Sequence, residues 1–167
     1  MGSYDMGKAD AVQWIRDNVP KDAVILDVGA CDGKWRDLLP EYTMDAVEVF
    51  MPNIRANDLV IRYRNVFNED VRNFDYLEYD FIIFGDVLEH MSVEDAQGVL
   101  KYADKHSKGY LVAVPYMYPQ GEIYNNPYEV HIQDDLTEEN VLERYPQLRP
   151  LKILTDYYGY YVGGGYG

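Results

Sequence analysis

Hydrophobic positions alternate between two periods along the chain. Between Asp10 and Val19, apolar residues stand at Ala11, Val12, Ile15 and Val19 with Trp14 beside them. That is the spacing of one helix face, and Asn18 with Pro20 marks its end. Ala23–Leu26 is a short apolar, β-branched run bounded by Lys21-Asp22 and a glycine-containing turn, which predicts a buried parallel strand. Lys34 to Pro40 predicts a short helix, Asp45–Val49 a second strand, and Pro52 the first turn of a helix reaching Asn57. Val66-Phe67 marks a weak third strand, and Phe81–Phe84 is the strongest strand signal. Ser92 with Asp95 three residues later resembles a capping box, with Asp in place of Glu or Gln; it opens a helix to about His106. Gly109–Val114 predicts a fifth strand, stopped by Pro115. Residues 117–130, with Pro119, Gly121 and Pro127, read as a loop, and Thr137 opens a last helix ending near Tyr145-Pro146. Leu151–Leu154 and Tyr158–Val162 predict two closing strands with a turn at 157–159, and the glycine-rich 163–167 reads as a flexible tail.

Strands alternating with helices at this spacing call for an α/β fold, a parallel sheet with helices on both faces. Seven strands are expected, and no linker or internal repeat divides the chain, so 1–167 reads as one domain. Ligands on such sheets bind past the carboxyl ends of the strands, at the switch point. The residues that follow each strand are therefore the ones to read for chemistry.

After the first strand comes Asp27-Val28-Gly29-Ala30-Cys31-Asp32-Gly33-Lys34-Trp35. A glycine turn there lets a ligand approach the backbone closely. The dinucleotide spacing fails, because Cys31 and Lys34 stand where it needs glycine. The phosphate loop fails as well, because Trp35 follows Gly33-Lys34. The second strand ends at Glu48-Val49, and Glu48 lies 21 residues after Asp27. Asp70-Val71 follows the third strand, and Asp86-Val87-Leu88-Glu89-His90 follows the fourth.

Together these segments resemble class I S-adenosylmethionine-dependent methyltransferases, in particular the small ubiquinone and menaquinone methyltransferase-like group. Asp27, Gly29 and Gly33 match the first motif, an acid then Gly-x-Gly-x-Gly, and Cys31 replaces its middle glycine. The resemblance runs in order along the whole chain, and the strand entering Asp86–His90 is its most specific part. It implies a Rossmann-like seven-stranded methyltransferase sheet, mostly parallel with an antiparallel last strand. It implies S-adenosyl-L-methionine as cofactor, with S-adenosyl-L-homocysteine as product. The first turn would hold the cofactor through Asp27, Gly29, Ala30, Cys31 and Gly33. Glu48 with Val49 would take the ribose hydroxyls, Asp70 with Val71 the adenine, and Asp86 with Val87 the methionine part. His131, closing the loop after the fifth strand, and His90 are the candidate catalytic groups, because an imidazole titrates near neutrality. Tyr116, Tyr118, Tyr124 and Tyr128 crowd the same loop and suit a sugar or aromatic acceptor. His131 with Asp134 and Asp135 matches no strong metal spacing, so no metal is expected. With about 20 residues before the first strand, the chain leaves no room for a separate cap domain. The acceptor is then either small and partly exposed or attached to something larger; a small or saccharide-like molecule is expected, and a homodimer is one way to complete its pocket. A non-catalytic cofactor- or partner-binding relative is the alternative, motivated by Cys31. A nicotinamide-dependent oxidoreductase ranks lower because the glycine spacing is absent.

Composition narrows the partners. The 167 residues hold 29 Asp and Glu against 15 Lys and Arg, a net charge of −14. A domain gripping nucleic acid or an anionic membrane needs a basic footprint instead. The excess is local: Val66–Asp104 has ten acids and two bases, and Pro119–Gln147 has seven acids and one base. Arg55, Arg62 and Arg64 form the one local basic cluster. Tyrosine dominates the aromatics, 17 against 5 Phe and 2 Trp. The single cysteine, Cys31, allows no intrachain disulfide and fits a reducing compartment. No signal-peptide pattern opens the sequence and no 18-residue apolar run occurs, so a cytoplasmic protein is expected.

Overall fold

The computed structural model describes residues 5–77 and 79–166. Most of the N-terminal stretch read for a signal peptide, and the last residue of the expected tail, lie outside them. The elements in order are α1 (Lys8–Asn18), β1 (Val24–Val28), α2 (Lys34–Leu38), β2 (Thr43–Val47), α3 (Met51–Ala56) and α4 (Leu59–Arg62). There follow β3 (Val66–Phe67), β4 (Phe81–Gly85), α5 (Val93–His106), β5 (Gly109–Pro115), α6 (Glu138–Arg144), β6 (Arg149–Leu154) and β7 (Tyr158–Gly164). The seven strands form one sheet in the order β3-β2-β1-β4-β5-β7-β6. β3, β2, β1, β4 and β5 run parallel, and β7 runs antiparallel to both its neighbours.

Strand alternation splits the core into two layers. Ile25, Phe81, Ile83, Leu111 and Tyr160 face α1 and the helices between β1 and β3. Leu26, Val28, Ile82, Phe84, Val112 and Tyr161 face α5 and α6. Ser92 caps α5, its Oγ accepting from the Asp95 amide at 3.1 Å. Thr137 caps α6 by accepting from Asn140 N at 3.1 Å.

The tyrosine surplus is largely interior. Tyr160 donates its hydroxyl to Met6 O at 2.8 Å, Tyr110 donates to Asp104 at 2.6 Å, and Tyr158 donates to Asp86. Each ring fills core volume while its hydroxyl finds a partner.

Three expectations shift. The second strand stops at Val47, so Glu48 and Val49 belong to the loop beyond it. The closing turn is 155–157, with Asp156 at φ 67°, and Tyr158 and Gly159 are already paired in β7. The glycine-rich end is not a free tail as far as it is described. Gly163 and Gly164 pair with Tyr110 and Gly109, and the Tyr166 ring stands 6.0 Å from Phe81.

Glycine there is a packing requirement. A Cβ on Gly163 would lie 2.4 Å from Cζ of the fully buried Tyr110. Gly163→Ala should therefore cost about 1–3 kcal/mol, as overpacking does. At about 2–4 °C per kcal/mol for a chain of this size, thermal unfolding followed by circular dichroism should record a fall of several degrees. An unchanged midpoint would refute this packing account.

Candidate active site

The parallel pairing sets Phe67, Val47, Val28 and Phe84 side by side at the strand tips. The chain leaving each tip therefore fans across one edge of the sheet. β1 has β2 on one side and β4 on the other, so this is the point where strand order reverses. A cavity of about 320 Å³ opens there. Its walls include Gly29–Asp32, Glu48-Val49, Asp70-Val71, Asp86-Val87 and His90 with His131.

The turn after β1 is tied to β2: Gly29 N donates to Val47 O at 2.8 Å. Gly29 has φ 67°, and a Cβ on it would meet Val87 Cγ2 at 3.0 Å. Cys31, at the middle glycine position of the motif, also has positive φ, 52°. That conformation costs a non-glycine residue of order 1 kcal/mol and persists only where neighbours hold it. Here Glu48 holds it. Its Oε1 accepts from Cys31 N at 2.8 Å and its Oε2 from Phe50 N at 2.9 Å. Glu48 is buried, which pushes its carboxyl upward, while those two amides and the Asn53 side chain pull it back. Burial pushes the Cys31 thiol up to about 11, so it is a small packing group and no nucleophile.

Two residues of the first motif do not reach the cavity wall. Asp27 precedes Val28 and so points to the opposite face of the sheet, where Tyr63 Oη donates to its Oδ2 at 2.5 Å. Its Oδ1 has no partner, and burial raises its carboxyl to about 7. Gly33 opens α2 at φ 78°, beneath the Arg62 guanidinium. A side chain there would meet Arg62, not a ligand.

Asp70 reaches the wall already paired. Arg72 donates to it at 2.6 Å and bridges to Asp95 at 3.3 Å, which holds the Asp70 carboxyl below the usual range. Asp86 has φ 56° just beyond β4 and accepts from the Tyr158 hydroxyl. Trp35 lines the same region, and its indole Nε1 is buried without a partner.

At the far end, His90 and His131 lie ring to ring, centroids 4.8 Å apart at 73°. His90 Nδ1 is 3.1 Å from Val130 O, and His131 Nδ1 is 2.6 Å from Tyr118 O. Each Nδ1 therefore carries the proton, which leaves Nε2 with its lone pair. Burial, then the neighbouring His131, lowers the affinity of His90 for a second proton.

Of the loop tyrosines, Tyr118 and Tyr128 line the cavity. Tyr116 is buried against the Tyr161 hydroxyl, and Tyr124 is 71% exposed and not on the cavity wall. Asp135 pairs with Arg144 at 2.7 Å and Asp134 is exposed, so neither joins His131.

Two residues escape the sequence pattern. Lys8, 3% exposed, sits with Nζ 5.0 Å over the Trp35 ring; helical periodicity gives no signal for a buried lysine at that helix start. Glu89, 1% exposed, has both carboxyl oxygens without a hydrogen-bond partner. Its place beside His90 in the motif was visible, but its burial was not.

No protein-family model matches this chain, and no curated protein matches it. Solved structures do. The N-terminal domain of EvdMO1 with S-adenosylhomocysteine bound superposes with a TM-score of 0.70 at 16% identity, covering 96% of this chain and 82% of that one. An S-adenosylmethionine-dependent methyltransferase from Clostridium acetobutylicum gives 0.70 at 13% identity, covering 96% and 94%. Burkholderia thailandensis 1,6-didemethyltoxoflavin-N1-methyltransferase, with 1,6-didemethyltoxoflavin and S-adenosylhomocysteine bound, gives 0.67 at 17% identity, covering 95% and 76%. The fold of this chain is that of the S-adenosylmethionine-dependent methyltransferases.

Proposed function

We propose that this chain is an S-adenosylmethionine-dependent methyltransferase acting on a small-molecule or saccharide-like acceptor. The observation that carries the reading is the fan of Gly29, Glu48 and Asp86 around one cavity at the switch point of this sheet. Several of the matching structures carry S-adenosylhomocysteine, and one carries a small aromatic acceptor as well. The segments Asp27–Gly33 and Asp86–His90 favour the ubiquinone and menaquinone methyltransferase-like group. A cytoplasmic location completes the proposal, with a homodimer as one way to close the pocket.

The residues present fit the cofactor. Glu48 lines the cavity and, as a carboxylate with about four acceptor sites, keeps capacity for the ribose hydroxyls beyond its bonds to Cys31 N, Phe50 N and the Asn53 side chain. Trp35 Nε1, buried without a partner, is a donor that an occupant with an acceptor group would satisfy. Gly29 leaves the backbone open where a side chain would crowd Val87. Asp70, held by Arg72, and the Val71 backbone edge the adenine end; Asp86 and Val87 edge the methionine end.

S-adenosylmethionine supplies an activated methyl on a sulfonium, so the protein chiefly positions the acceptor and excludes water. His131 and His90 are the proposed catalytic residues. Burial disfavours a second proton on His90, and in each ring the Nδ1–H is committed to a backbone carbonyl, so that Nε2 is the atom left to act. Tyr118 and Tyr128 offer flat faces for the acceptor.

Thermal unfolding with S-adenosylmethionine, S-adenosylhomocysteine and NAD tests the assignment. A ligand of the native state at 100 times its Kd adds about 2.7 kcal/mol, which is easily resolved. Stabilisation by S-adenosylhomocysteine and not by NAD is the expected result; the reverse would overturn the reading. Binding without turnover over a panel of acceptors would identify a non-catalytic relative.

A further inference from the structure

Glu89, His90 and His131 each offer a ligand atom, and these atoms lie within 4.8 Å of one another on the cavity wall. His90 Nε2 stands 3.9 Å from Glu89 Oε2. His131 is 41 residues from His90, and the fold fixes it there deliberately. Ile132 N and Gln133 N both donate to Glu89 O, at 2.8 and 3.0 Å. The buried Gln133 side chain donates to Leu88 O at 3.0 Å and Met91 O at 3.1 Å. The strap holding His131 is thus built on the same turn that carries Glu89 and His90.

Each imidazole gives its Nδ1–H to a backbone carbonyl, which fixes the tautomer and leaves Nε2 to take a ligand. That outer bond is the usual companion of a metal-binding histidine. Glu89 is the second, independent sign. A carboxyl group buried without any hydrogen bond is costly, and among the described residues no lysine or arginine forms an ion pair with it. Its charged neighbours are Asp86 and Glu129, both acids. A cation at this place would satisfy both oxygens.

We propose that Glu89, His90 and His131 bind one divalent transition-metal ion of the Mn²⁺, Fe²⁺ or Zn²⁺ class. Two imidazoles and one carboxylate are a donor set for such ions, and they leave coordination positions open. Here the open side faces the cavity. Resting on the methyltransferase reading, the ion's role is to hold an acceptor hydroxyl. Its positive charge lowers the pKa of the bound hydroxyl, whose proton passes to water. The oxygen lone pair then forms the O–CH₃ bond as the C–S bond breaks onto sulfur, which leaves as the neutral thioether. The acceptor class that follows is an alcohol or phenol, preferably with a second oxygen next to the first. In this arrangement the two histidines activate the acceptor through the ion.

The test starts from the full chain stripped with a chelator and dialysed. Mn²⁺ alone is titrated by calorimetry, and S-adenosylhomocysteine is titrated separately. One Mn²⁺ per chain is expected, with His90→Ala, His131→Ala and Glu89→Gln each weakening it by at least about 100-fold. The three variants should bind S-adenosylhomocysteine within about twofold of the parent. Co²⁺ added to the parent protein should give visible d–d bands that Zn²⁺ displaces, a readout needing no variant. Absence of Co²⁺ bands and of Mn²⁺ binding in a chain that does bind S-adenosylhomocysteine would overturn the metal site alone. So would Mn²⁺ binding that survives all three substitutions. A chain that binds Mn²⁺ through these residues but no S-adenosylhomocysteine would keep the site and overturn the methyltransferase reading.

Discussion

Replacing Glu48 with alanine is expected to weaken S-adenosylhomocysteine binding by about 100-fold. Hydrogen bonds to a charged group contribute about 1.5–3 kcal/mol each. Two to a ribose edge, less what water recovers, come to roughly 3 kcal/mol, or two decades in Kd. A second effect has the same sign. Glu48 holds Cys31 N and Phe50 N, and so holds Cys31 in its left-handed conformation. Alanine frees that turn, and the cavity edge loses its preorganisation. Glu48→Gln separates the two effects, since it keeps one acceptor oxygen for an amide or a hydroxyl; an intermediate loss is expected. Gly29→Val should weaken binding comparably by filling the space beside Val87, at additional cost to folding because φ is 67°. Isothermal titration checks all three, with circular dichroism to confirm folding. Unchanged affinity in both Glu48→Ala and Gly29→Val would move the cofactor elsewhere.

Much of this site was legible because strand ends are legible. The β-branched runs at Ile25, Ile82-Ile83 and Val112 have clear bounds, and whatever follows each is carried to one edge by the parallel topology. That logic alone locates Gly29, Glu48 and Asp86. It fails where the side chain, not the strand, decides. Asp27 belongs to the same motif, yet alternation from the cavity-facing turn turns it to the α4 side, under Tyr63. One step of alternation back from Val28, which lines the cavity, would have exposed this. Asp70 is diverted by a neighbour, since Arg72 lies two residues away and closes on it. The meeting of Glu89 with His131 had no local signal. It depends on a loop of more than ten residues returning to the turn after β4, and on Gln133 fastening it there. The tyrosines divide similarly: the loop's Tyr116 is drawn inward by Tyr161 on β7, a partner 45 residues away.

Asp27 itself should leave a large mark on the pH dependence of stability. Its carboxyl has an ordinary value of 3.8 in the unfolded chain and about 7 when folded, chiefly because burial disfavours the anion and only partly because Tyr63 opposes it. Between those values the native state binds the extra proton. Stability from this group is therefore complete below pH 3.8 and is lost as pH rises through about 7. The slope is about −1.36 kcal/mol per pH unit across the window, summing to roughly 4 kcal/mol. Glu48 and Glu89, also raised by burial, slope the same way, so the parent curve alone does not isolate Asp27. The difference between parent and Asp27→Asn does, because the other two cancel to first order. Asparagine still accepts from Tyr63 and cannot ionise. Urea unfolding at pH 4.5, 6 and 7.5 should show the variant gaining steadily on the parent, and overtaking it where the parent must bury the anion. Tyr63→Phe should act oppositely, because without its donated hydrogen bond the buried anion costs more and the variant's decline extends to higher pH than the parent's. Parallel stability curves for parent and Asp27→Asn would mean that Asp27 is already ionised in the core, and the unpaired Oδ1 would then need a buried cation or water to explain it.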